Sequence, residues 1–106
     1  MVGFSRLTQL GLLRLLTTGS AMGGRPLTNE EAWAVYDEFL TDNRVRVFPE
    51  LPPLDDLFRL HSALRQASPK LWVDAYLAAH ATANEATLVT FDQAFASYGI
   101  ECRILT

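Results

Sequence analysis

Residues 68–92 read SPKLWVDAYLAAHATANEATLVTFD, and this stretch decides the fold. Ser68-Pro69 is a helix start, with Ser as the cap and Pro at the first helical position, where its missing N–H costs nothing. The helix then runs from Lys70 to about Asn84. Thr87–Phe91 is a short, apolar, β-branched run, which reads as a buried strand ending at Asp92. Helices alternating with short buried strands form a parallel α/β sheet.

Two carboxylates stand out in this stretch. Asp74 is flanked by Leu71, Trp72, Val73, Ala75, Tyr76, Leu77, Ala78 and Ala79. A carboxylate on so apolar a segment is paired, metal-bound or on a narrow exposed edge, because burying it bare is costly. Asp92 follows directly on Leu88-Val89-Thr90-Phe91, beyond the carboxyl end of a strand, where functional groups collect in open parallel sheets. From Asp74 to Asn84 the helix rises about 15 Å. The strand from Thr87 to Asp92 returns about 17 Å. The two Asp residues are therefore expected at one edge of the sheet. Like charges brought together repel unless a cation sits between them, and oxygen ligands select hard ions such as Mg²⁺ or Mn²⁺. Two blander readings stay open: Asp74 as the partner of a basic side chain, and Asp92 as the N-cap of the turn that follows.

The flanking sequence extends the pattern. Ser5–Thr17 is a helix capped by Ser5, with Leu7, Leu10, Leu13 and Leu12 or Leu16 on a wide apolar face. Gly19, Gly23 and Gly24 break it. Thr28-Asn29-Glu30-Glu31 is a capping box, and the helix behind it carries Ala32, Trp33, Tyr36, Phe39 and Leu40. Val45–Phe48 is a strand stopped by Pro49. Pro52-Pro53 opens a helix lined by Leu54, Leu57, Phe58, His61 and Leu64. A short helical turn through Phe95 and a strand from Cys102 to Leu105 close the chain.

Composition sets the limits. A chain of 106 residues, 49% hydrophobic and 20% charged, is one globular domain. A net charge of −3 argues against nucleic-acid binding by bulk charge, but leaves room for an acidic metal site with local arginines. Eight of the nine basic residues are Arg, scattered along the chain, and most read as surface side chains. One cysteine, Cys102, permits no internal disulfide, and with His61 and His80 it builds no zinc cluster. No run approaches the ~20 apolar residues of a membrane span, and the cytoplasm is the expected compartment.

The strings Trp72–Ala79 and Leu88–Asp92 together resemble the C-terminal half of VapC-type PIN domains, and Ser5–Gly11 through Leu15–Thr17 resembles the middle helix of one VapC subgroup. The resemblance implies a Mg²⁺- or Mn²⁺-dependent RNA endonuclease, the toxin of a toxin–antitoxin pair and often a homodimer. It implies a three-layer α/β sandwich around a short parallel sheet. Of the family's roughly four acidic residues, Asp74 and Asp92 match the last two. Thr90 matches a frequent hydroxyl beside the last Asp, and reads equally as a β-branched strand residue. Gln9 stands near the place of a family Glu, offering an amide oxygen without charge, and reads equally as an exposed helix residue.

The family's first strand, which carries an Asp at the centre of the sheet, has no expected counterpart in Met1–Phe4. The domain is therefore expected to be incomplete at its N-terminus. Two strands would then lack a neighbour, and the chain alone would be poorly soluble or domain-swapped. An alternative is a catalytically dead remnant that only binds an antitoxin, received by exposed aromatics such as Trp33, Tyr36 or Phe58 where these do not pack in the core. A phosphoacceptor domain is disfavoured, since it wants a Lys at the end of a later strand and Lys70 lies at a helix start.

Overall fold

Two capping hydroxyls organise the first half of the chain. In the computed structural model, which describes residues 2–90 and 93–105, the chain divides into two units, Met1–Phe48 and Pro49–Thr106. In the first, β1 (Val2–Phe4) leads into α1 (Arg6–Leu16), α2 (Asn29–Leu40) and β2 (Val45–Val47). Ser5 ends the strand and starts the helix. Its Oγ accepts from the Thr8 N–H at 3.1 Å, while Thr8 Oγ1 accepts from the Ser5 N–H at 2.8 Å. The Thr28 box is reciprocal in the same way with Glu31, at 3.1 and 2.9 Å.

Val2–Phe4, which sequence reading left unassigned, adds a strand. It is parallel to β2 with Val2 opposite Val45, Gly3 opposite Arg46 and Phe4 opposite Val47. Three residues are too few for alternation to be read from sequence. β1 carries no acidic residue. Val45–Val47 pairs with β1, and Leu88–Thr90 pairs with Cys102–Ile104 in the second unit. The Phe48 ring lies over Gly3, so that a Cβ built there would stand 2.4 Å from it.

The inward face of α1 also differs from its leucine pattern. Ser5 and Gln9 are buried, whereas Leu10 is 53% exposed. On α2, Ala32 and Tyr36 are buried and Trp33 is 48% exposed. Tyr36 packs edge-on against Phe4 and Trp33.

The second unit contains α3 (Leu54–Ser62), α4 (Leu71–Ala83), β3 (Leu88–Thr90), a short 3₁₀ turn (Gln93–Tyr98) and β4 (Cys102–Ile104). β3 and β4 are parallel, Leu88 opposite Cys102 and Thr90 opposite Ile104. The described strands thus form two two-stranded parallel sheets. Asp55 and Asp56 occupy the first turn of α3, and Arg59 and His61 the last, each where the helix dipole favours it. α3 ends at Ser62, so Leu64, expected on its apolar side, is 50% exposed.

α4 starts later than the Ser68 cap predicts. The Ser68 carbonyl accepts from the Leu71 N–H at 3.1 Å, Pro69 and Lys70 form a turn, and Lys70 becomes a cap without a side-chain hydrogen bond. At its other end, Glu85 adopts φ 53°. The Ala86 N–H donates to Ala81 O at 2.8 Å and the Glu85 N–H to Thr82 O at 3.0 Å, a Schellman closure. The left-handed conformation costs a residue with a Cβ about 1–2 kcal/mol.

Glu85→Gly is expected to stabilise the chain by about 1 kcal/mol. Gly3→Val, by driving a side chain into the Phe48 ring, is expected to cost about 1–3 kcal/mol. Urea unfolding midpoints of the two variants against the parent check both signs.

Candidate functional site

Asp74 lies in the first turn of α4, where the free N–H groups and the helix dipole favour negative charge. It is half-exposed. The two residues before it, Trp72 and Val73, are 57% and 51% exposed, whereas Ala75, Ala78 and Ala79 are fully buried. The opening turn of α4 is therefore at the surface, and Asp74 sits where that surface meets the buried alanine face. Phe58 of α3 fixes that end by packing edge-on against both Trp72 and Tyr76, with ring centroids 6.3 and 5.9 Å apart.

Asp92, the second expected carboxylate, lies outside the described residues. Thr90 ends β3, paired in register with Ile104. Among the described residues, no three His, Cys, Asp or Glu side chains gather to hold a metal ion.

Gln9 is not an exposed helix residue. It is 8% exposed, and its Oε1 accepts from Arg6 Nη1 at 2.6 Å. A buried amide oxygen already committed to a guanidinium makes a fixed polar point in the first unit.

Sequence reading missed a polar spine on α4. Tyr76, His80 and Asn84 recur every four residues and share one face of the helix. The Tyr76 hydroxyl donates to Glu50 Oε2 at 2.5 Å. Burial first, and the Glu50 contact second, push the phenol up to about 12. Asn84 Nδ2 donates to Pro49 O at 3.1 Å and to His80 O at 3.0 Å. The His80 ring stacks on Tyr76, with centroids 5.7 Å and planes 15° apart. Burial lowers its pKa from the ordinary 6.5, opposed by the Glu50 charge. The i, i+4 spacing was the available signal, masked by the alanines between.

The first unit also carries a groove between α1 and α2 of about 330 Å³, lined by Leu10, Leu13, Arg14 and Trp33 among others. Trp33 forms part of its wall, while Tyr36, the other aromatic of α2, is buried. No described helix is long and apolar enough to cross a membrane.

Comparison with known proteins sets this geometry in context. The family profile described as "PIN domain" matches residues 2–101, across both units. The chain is 46% identical over 110 aligned residues to Ribonuclease VapC41 of two Mycobacterium tuberculosis strains, CDC 1551 and H37Rv. The alignment covers 99% of this chain and 75% of each relative. An α/β chain whose profile match runs nearly end to end, and whose identity to VapC relatives approaches one residue in two, belongs to the VapC-type PIN-domain family.

Proposed function

We propose that this chain is a divalent-metal-dependent RNA endonuclease and the toxin of a toxin–antitoxin pair, acting in the cytoplasm. The observation that carries this reading is its 46% identity, over 99% of its length, to proteins named as ribonucleases. Asp74 adds local support, as a surface carboxylate in the first turn of α4, an oxygen donor suited to a hard cation.

In this reading Asp74 and Asp92 hold Mg²⁺ or Mn²⁺ through carboxylate oxygens. A divalent ion bound there supplies polarisation of a phosphate oxygen and a water of lowered pKa. The Phe58–Trp72–Tyr76 packing holds the start of α4, from which Asp74 would offer one donor. Gln9 would offer an amide oxygen without charge, for the metal or for a water. The reading also assigns Thr90, whose side chain lies outside what the structure describes, the role of orienting water.

The partner is an antitoxin whose apolar segment, with a carboxylate to meet Arg14, lies in the groove beside Trp33. The chain's exposed apolar side chains also suit a homodimer.

Asp74→Ala and Asp92→Ala are each expected to remove Mg²⁺-dependent cleavage of single-stranded RNA by about 10³-fold or more, with the chain still folded. Retained metal-dependent cleavage by either variant takes that residue out of the site. Mg²⁺ binding in calorimetry that is lost in both variants favours the enzyme, and no binding by the parent favours an antitoxin-binding remnant. Trp33→Ala is expected to weaken binding of a cognate antitoxin by about 2 kcal/mol, roughly 30-fold, while leaving cleavage intact.

A further inference from the structure

The nuclease reading leaves the polar spine of α4 unused. His80 is 5% exposed, yet both Nδ1 and Nε2 lack a hydrogen-bond partner among the described residues. A neutral imidazole has one donor and one acceptor, so both are left unmet. The ring is bracketed along the helix by two ties to one segment. Tyr76, one turn before, holds Glu50, and Asn84, one turn after, holds the Pro49 carbonyl. Glu50 is exposed and carries the anionic oxygens nearest in this chain of contacts: carboxylate, phenol, stacked imidazole.

We propose that Glu50, Tyr76 and His80 form an acid-operated latch: when the His80 ring takes a proton from water, the Glu50 carboxylate leaves the Tyr76 hydroxyl for the imidazolium, and the Pro49–Glu50 segment shifts on α4. The exchange balances. Tyr76 keeps its proton throughout, and one hydrogen bond from a neutral donor is replaced by one from a charged donor, which is about twice as strong.

The other titratable groups on the elements packed with α4 do not compete for the role. On α3, Asp55 and Arg59 pair with each other at 2.8 Å, both largely exposed, and Asp56 is exposed. His61 packs edge-on against Tyr98 of the 3₁₀ turn. On α4, Asp74 is six residues from His80, and Glu85 lies past the end of the helix. Among the described residues, Glu50 is the charge that acts on His80.

The pH dependence has a definite sign. The folded chain holds the ring neutral below the ordinary histidine value of 6.5. The unfolded chain therefore binds the proton first as pH falls. Stability is complete above 6.5, declines as pH drops through it, and levels off below the folded value.

The test is an NMR titration of His80 and Tyr76 ring signals in the 106-residue chain and its variants, between pH 8 and 4.5. The expected result is a His80 midpoint below 6.5, with Tyr76 signals moving at the same midpoint. Glu50→Gln is expected to move the His80 midpoint lower still and to remove the coupled Tyr76 shift. Tyr76→Phe, which frees Glu50 for the imidazolium, is expected to move the midpoint up. His80→Gln is expected to flatten the fall in melting temperature between pH 7.5 and 5. Should that buried substitution prevent folding, the Glu50 and Tyr76 variants decide the matter. An identical His80 midpoint in the parent and Glu50→Gln overturns the latch, as do Tyr76 signals that stay flat while His80 titrates. Because no metal or RNA enters the measurement, this outcome is independent of the nuclease reading.

Discussion

Alanine at positions 75, 78 and 79 is the constraint on which the second unit depends. All three are completely buried. A side chain that ends at Cβ lets neighbouring backbone approach closely, and interiors filled to crystal density leave no slack for a larger one. The larger side chains of α4 are displaced from this face to its margins. Trp72 and Val73 go to the surface, Tyr76 and His80 to the side that meets Glu50, and Phe58 of α3 fills the step between Trp72 and Tyr76. The rotation of α4 about its axis follows from this arrangement. That rotation puts Asp74 at a surface edge and the His80 ring inside.

The start of the same helix differs from those of α1 and α2. α1 and α2 each start with a reciprocal side-chain cap, whereas α4 starts at Lys70 with none. Its exposed N–H groups are complemented by Asp74 in the first turn. In the proposed nuclease the same carboxylate would also supply a metal oxygen from an ordered helix start. Ordering entropy that a flexible ligand would lose on binding is lost here during folding.

What the sequence made legible follows the strength of local signals. Ser5 and Thr28 announced their helices because a hydroxyl three residues ahead of a complementary side chain has one favourable use. The Thr87–Phe91 run and the Cys102 strand were readable from β-branched content, and both appear, shortened to three residues in the ladder. β1 was not readable, because Val-Gly-Phe offers neither length nor alternation; its pairing depends on β2, over 40 residues away. α1 misled through its leucines. The helix turns Gln9 inward and Leu10 outward, a choice made by packing against α2 and β1 and not by periodicity. On α4 the alanines that suggested a uniformly apolar helix hid the Tyr76–His80–Asn84 spacing. That spacing acquires meaning only when Pro49 and Glu50 arrive from another part of the chain.

Charge bears on how such a chain would meet RNA. With a net charge of −3, broad attraction to a polyanion is absent. Several arginines are also engaged locally. Arg44 forks onto Asp42 at 2.7 and 3.0 Å, Arg59 bonds Asp55 at 2.8 Å, and Arg6 bonds Gln9 at 2.6 Å. The exposed Asp42 and Asp55 pairs add little stability but neutralise charge that would otherwise repel or attract a ligand. Affinity for a phosphodiester must then come from a few well-placed contacts. In the proposed nuclease these are the carboxylate-bound ion and whatever arginines the bound strand reaches. A site built this way discriminates by geometry at the scissile phosphate and gains little from the length of the RNA.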